Sequence, residues 1–160
     1  MASIKTQGTK LFFIDTLTSD TPSIVTMVCP TGVTGLGGPA DQIDDTCLDA
    51  TEKSFVRGLG NPGQVSVPFV LKSPVPISHQ VLFDLKEDGR DIDWMACLSD
   101  GTAEPTLDSN DEFVFPAART SFLFVGYIAD VNIDIATNEV VRGTLTIQRS
   151  GVITPTWKTS

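Results

Sequence analysis

Between Phe122 and Arg149 the chain alternates apolar and polar side chains, the period-two signature of β-strands. The first run places Leu123, Val125, Tyr127, Ala129, Val131, Ile133 and Ile135 on one face, while the other changes from Phe122, Phe124 and Ile128 to Asp130, Asn132 and Asp134. In the second run Val141, Leu145 and Ile147 oppose Arg142, Thr144, Thr146 and Gln148. A turn centred near Asn138, a residue that tolerates left-handed backbone, makes the apolar faces coincide and sets Asp134 opposite Arg142. A strand of about 14 residues spans roughly 46 Å, well beyond the usual five or six residues. That length needs a use. The half-polar face predicts a wet surface backed by a dry core, with an ordinary solvated sheet face as the plainer alternative.

The rest of the pattern is mainly β. Strands are predicted over Lys10–Asp15, Ile24–Cys29, a short stretch around Gln42–Leu48, Val65–Lys72, Ile92–Leu98 and Glu112–Phe115. Pro68 places its strand at a sheet edge or bulge. Gly32–Ala40 reads as a flexible connection, and Asp49–Gln64, without sustained period and closed by glycines and a proline, as a long loop with a binding role. One helix is predicted from Pro76 to Asp88, with Ser78 capping its start, Val81, Leu82 and Leu85 at helical spacing, and Gly89 ending it. Ser99–Asp111 reads as a loop and the segment after Gly151 as extended.

Composition narrows the possibilities. The 160 residues suit one domain, 1–160, with 41% apolar content for a core. Eleven basic and twenty acidic residues give a net charge of -9, which argues against gripping phosphate backbones or anionic membrane. It leaves open a role in conducting DNA. Cys29, Cys47 and Cys97 are read as buried free thiols, with one disulfide as the minority alternative. The polar start and the shortness of Leu11–Ile14 predict no signal peptide, and no apolar run matches a membrane span, so the expectation is a protein retained on the synthesising side.

No catalytic constellation emerges. Gly35-Leu36-Gly37-Gly38-Pro39-Ala40 loosely imitates a dinucleotide fingerprint, but Pro39 interrupts it and no helical pattern follows. His79, the single histidine, is expected half-exposed near the helix start. The cysteines lack paired zinc spacing. The acidic clusters at Asp44-Asp45, Glu87-Asp88 and Asp108–Glu112 read as solvated loop charges rather than an acid–base pair or a calcium site.

Taken in order, the elements resemble the major tail tube proteins of long-tailed, lambda-like, non-contractile bacteriophages. The resemblance rests on the opening Thr-Lys-Leu-Phe-Phe-Ile-Asp strand and on Ile43-Asp44-Asp45-Thr46-Cys47-Leu48-Asp49 leading into Lys53-Ser-Phe55-Val-Arg-Gly58-Leu59-Gly-Asn61-Pro-Gly63. It rests also on the helix before the Trp94 strand, and on Phe124-Val-Gly126-Tyr127 followed by Glu139-Val-Val and a Thr-Leu-Thr-Ile run ending at Arg149-Ser150-Gly151. The C-terminal immunoglobulin-like domain of the lambda type has no match among these residues, which bears on surface decoration and not on the tube.

The resemblance implies an antiparallel β-sandwich or barrel flanked by one helix, six copies per ring, and rings stacked into a conduit for double-stranded DNA. Asp130, Asn132, Asp134, Arg142, Thr144, Thr146 and Gln148 would line a negatively charged lumen. Asp45, Leu48, Lys53, Phe55, Arg57, Leu59 and Asn61 would belong to a long ring-stacking loop, disordered in the free subunit. Implied partners are further copies, tail terminator, tape measure and baseplate or tail-tip proteins, with DNA passing unbound. No cofactor, metal, membrane or catalytic role is implied, and the place is the virion tail, assembled in host cytoplasm. The alternatives are a tube similar to that of type VI secretion, or a stand-alone β-barrel with an enclosed apolar ligand cavity.

Overall fold

The computed structural model describes residues 1–18 and 20–159. In chain order the elements are β1 (Lys10–Asp15), β2 (Ser23–Thr26), β3 (Ala40–Asp44), β4 (Phe55–Gly60), β5 (Gln64–Val70), α1 (Ile77–Asp88), β6 (Ile92–Cys97), β7 (Thr106–Leu107), β8 (Phe113–Val114), β9 (Ser121–Asp134) and β10 (Arg142–Thr156). Six strands form one antiparallel sheet in the order β2-β1-β6-β9-β10-β5, while β3-β4 and β7-β8 are separate ribbons. The sheet curls back on itself. After β2 the chain crosses to the far edge, where the Thr31 N–H donates to the Pro68 carbonyl at 2.8 Å and the Val70 N–H to the Cys29 carbonyl at 3.1 Å. Pro68 lies on edge strand β5, and the connection read as flexible is bridged to that strand through Thr34 and Ser66.

Two apolar layers hold the sheet. Inside the curl, Phe13, Trp94, Phe124, Ile128, Val131, Leu145, Ile147, Val65, Val67 and Phe69 pack with Val81, Leu82 and Leu85 of α1. Trp94 stacks on Phe124 with ring centroids 6.4 Å apart, and its Nε1–H donates to the Gly126 carbonyl at 3.1 Å, which satisfies the indole's only donor. Outside the curl, Phe12, Ile14, Met95 and Cys97 are covered by Phe113, Leu107 and Phe115 around the β7-β8 ribbon. The outer face is therefore dry at the β1-β6 end.

Asn138 takes φ 61° in the turn, and Arg142 pairs directly with Asp134, the register read from the pattern. The expected continuous apolar face of β9 is corrected. Thr146 pairs with Asp130 but Ile147 with Ile128, leaving Ala129 unpaired in a one-residue bulge. The buried side of β9 is consequently Phe124, Gly126 and Ile128 before the bulge and Val131 after it.

Further corrections follow from tertiary contacts. Asp49–Gln64 is no structureless loop, because Phe55–Gly60 pairs with Ala40–Asp44. Pro76, not Ser78, occupies the N-cap of α1 with no side-chain cap; the Ser78 hydroxyl instead accepts from the Val28 N–H at 3.3 Å. Gly89 ends the helix at φ 75° as its sequence position implies. His79 is fully buried rather than half-exposed, held at 2.7 Å by the Val28 carbonyl through Nε2 and lying on Phe69. Of the three thiols, all free, only Cys97 is buried; Cys29 is half-buried and Cys47 exposed. The reading of Ser99–Asp111 as loop misses β7, and β10 runs on to Thr156.

Candidate assembly surfaces

The first surface is the outer face of the sheet beyond the β7-β8 cover. Opposite residues of antiparallel strands share a face, so the pairing defines rows across β9, β10 and β5. Asp134, Arg142 and Val70 form one row, Asn132, Thr144 and Pro68 the next, and Asp130, Thr146 and Ser66 a third. Past the bulge, Tyr127, Gln148 and Gln64 make a fourth. Asp130, Asn132, Asp134 and Arg142 are exposed, while Thr144, Thr146 and Gln148 are half-buried among their neighbours. The core residues Leu145, Ile147, Val65 and Val67 lie directly behind them, all at 0% exposure. All seven sequence-predicted lumen residues thus share one polar sheet face. β5 and Tyr127 extend it; the alternation and Pro68 carried a signal for β5, though not for its register.

The charges on this face are matched locally. Two aspartates and Arg142 leave a formal charge of only -1 among the seven, and Asp130 pairs with Lys86 of α1 at 3.3 Å. Asp134 faces Arg142 across the ladder and accepts from Asn132 Nδ2 at 3.0 Å. The Gln148 side chain donates from Nε2 to the Gly63 carbonyl at 3.0 Å, which holds it against the base of the second surface.

That second surface is the β3-β4 ribbon with its tip, hereafter the arm. Asp45, Leu48, Lys53, Phe55, Arg57, Leu59 and Asn61 are all exposed on or beside it. At the tip, the Ser54 N–H donates to Thr46 Oγ1 at 2.8 Å, and hydrogen bonding to Asp44 by the Thr46 side chain first, and then by the Thr46 N–H at 2.9 Å from Oδ1, holds the Asp44 carboxyl below the usual carboxylate range. The ribbon's large apolar side chains find no cover: Ile43, Phe55, Val56 and Leu59 retain 49–84% of their exposure. An isolated two-stranded ribbon is marginal in water, so a surface of this kind requires a partner.

Two buried arginines, which the pattern gave no reason to single out, fix the surroundings. Arg119 donates to the carbonyls of Leu98, Ala103, Gly8 and Cys97, joining the N-terminal segment to the end of β6. Arg149 reaches the carbonyls of Gly37 and Pro62 at the foot of the arm. Elsewhere, a cleft of about 540 Å³ beside α1 opens at the surface among Leu17, Thr18, Asp84, Glu87 and Asp88, unlike the enclosed apolar interior of a ligand barrel.

A curled β-sheet with a wet outer face, a dry core behind it and an apolar arm with nothing of its own to cover it has the anatomy of a structural building block. Residues 2–159 match the lambda-like phage tail tube (TTP) family, and the chain belongs to it. It is a virion structural subunit of a phage tail tube and not an enzyme. Structural protein 3 of Pseudomonas phage PAJU2 is 40% identical over 152 residues, covering 92% of this chain and 90% of that protein. The fold is similar to that in the tail of an empty gene transfer agent particle refined with C6 helical symmetry, at TM-score 0.67 and 12% identity over 97% of this chain and 100% of the other. The SPP1 tail tube gives TM-score 0.61 and 15% identity over 96% and 78% of the two chains. A chain of the sheath/tube terminator of an extracellular contractile injection system gives 0.66 and 11% over 98% and 99%.

Proposed function

We propose that copies of this chain form closed, sixfold rings that stack into a tube, with the β9-β10-β5 face as the wall of a channel through which double-stranded DNA passes. The observation that carries this reading is the abrupt change along the outer sheet face, apolar and covered at one end, polar and open at the other. A solvated face needs no such division. A wall does, because one end must pack against protein while the other meets water and passing phosphates.

The channel keeps DNA from adhering chiefly by matching its cations. Arg142 stands across from Asp134 and Lys86 is paired with Asp130, so neither is a lone counterion for phosphate. The threonines and glutamine hold water at the wall, and the net charge of -9 adds a diffuse repulsion. The arm contacts the next ring, where its apolar residues are covered. Partners that end or start such a tube, a terminator and a baseplate or tail-tip complex, meet these same surfaces, and a tape measure protein occupies the channel before DNA. The sixfold symmetry of the gene transfer agent tail and the terminator and baseplate assemblies that hold similar folds support this reading.

Electron microscopy of the concentrated protein tests it. Stacked rings with an open bore are expected, and a monomer at every concentration and ionic strength would refute it. Within particles, Thr144→Lys with Thr146→Lys adds unmatched cations to the wall. Tubes should still form, while DNA delivery falls at least tenfold in an infectivity assay.

A further inference from the structure

The arm leaves the body through two legs, Gly37–Pro39 before β3 and Asn61–Gly63 after β4. Between them lies the side chain of Arg149, 4% exposed, on the strand that also carries Thr144 and Thr146. Its Nε donates to the Pro62 carbonyl at 2.7 Å and its Nη2 to the Gly37 carbonyl at 2.7 Å, with a further short contact from Nη2 to Pro62. One guanidinium therefore holds one carbonyl from each leg. The same point is gripped from the main chain and from the other face of β10: the Arg149 N–H donates to the Gly63 carbonyl at 3.2 Å, and Gln148 Nε2 donates to it at 3.0 Å.

The surroundings are shaped to the guanidinium. A Cβ at Gly38 would stand 2.8 Å from Arg149 Nη2 and 2.6 Å from the Asn61 carbonyl oxygen, so only glycine leaves room. Among the described residues no ion pair to a carboxylate involves Arg149. Its burial lowers its affinity for the proton, as expected for a cation solvated by carbonyl dipoles alone. A buried charge held in this way is costly unless its geometry is used, and the geometry here is a fork across two legs.

We infer that Arg149 is the positioning residue of the arm: it fixes the direction in which the arm leaves the body and so sets it, before assembly, for the next copy. This rests on the arm being the ring-to-ring contact. The consequence is that the arm is aimed by the very strand that forms the channel wall. A lysine can reach one carbonyl but cannot bridge both in the plane of a fork.

Arg149→Lys tests this through two readouts in the otherwise intact protein. In the monomer, amide exchange at Gly60 and Asn61 should speed up at least tenfold while Val131 and Leu145 exchange as in the wild type; a merely structural role would loosen these together. In a pelleting assay the critical concentration for tubes should rise at least tenfold. Unchanged exchange at the foot overturns the inference, and so does a loosened foot with wild-type assembly. If Arg149→Lys fails to fold, Gly38→Ala displaces the guanidinium while keeping its charge, and the same two readouts decide. Leu59→Ser separates the underlying reading: it should raise the critical concentration for tubes several-fold with exchange at the foot unaltered. If Leu59→Ser assembles normally, the arm is not the ring contact, whatever Arg149 does to its foot.

Discussion

Replacing Ile43, Phe55, Val56 and Leu59 together by serine should weaken assembly sharply without harming the fold. In the free subunit these side chains retain 55%, 51%, 49% and 84% of their exposure, so the monomer gains little from them. Covering the remainder is worth about 1 kcal/mol for each of the three half-exposed residues and about 2 kcal/mol for Leu59, roughly 5 kcal/mol as an upper bound. Part of this is offset by ordering side chains and desolvating polar neighbours, leaving about 2–3 kcal/mol per contact. At about 1.4 kcal/mol per tenfold, the critical concentration for tubes should rise roughly 30- to 100-fold. The assay is the amount of protein pelleted across a concentration series, alongside thermal unfolding of the monomer. Pelleting at the wild-type concentration would refute the reasoning, as would a collapse of monomer stability, since that would place these residues in the subunit's own core.

Other perturbations act on the body. Arg119→Met takes a shared donor from four carbonyls, one buried and three partly buried, and should cost about 2–4 kcal/mol, read as a lowered urea midpoint. Gly143→Ala sets a methyl 2.4 Å from the Phe69 ring and should cost about 1–3 kcal/mol in thermal or denaturant unfolding. Asp93 is raised in pKa, first by burial and then by the charge of Glu112. The fold therefore holds this proton more tightly than the unfolded chain, and stability falls as pH rises from the unfolded value of about 4 through the folded one. Asp93→Asn should accordingly raise the melting temperature at pH 7, with the gain fading below about pH 4.

Local periodicity carried the long hairpin, its Asn138 turn, the Asp134–Arg142 register and the helix, because each depends on residues near in sequence. It brought the seven polar residues of β9 and β10 to one face for the same reason. What it could not show depends on distant partners. The second strand of the arm, Phe55–Gly60, reads as loop because Arg57 and Gly58 break any alternation, and its pairing with the first is set by neither strand alone. His79 looks like a half-exposed helix residue until Val28 and Phe69 close over it. Arg149 sits at the end of a Thr-Leu-Thr-Ile run where a cation is usually solvated, and its partners lie 87 and 112 positions away.

Ala129 has a role out of proportion to its size. Because it stands without a cross-strand partner, odd and even positions of β9 exchange sides there, and the strand can be oily inward along its whole length although its two halves count differently. Were Ala129 instead drawn into the ladder opposite Thr146, everything downstream would invert, turning Asp130 and its polar companions toward the hydrocarbon and Val131 toward the water. The division between the dry core and the polar outer face is thus written in the parity of one strand.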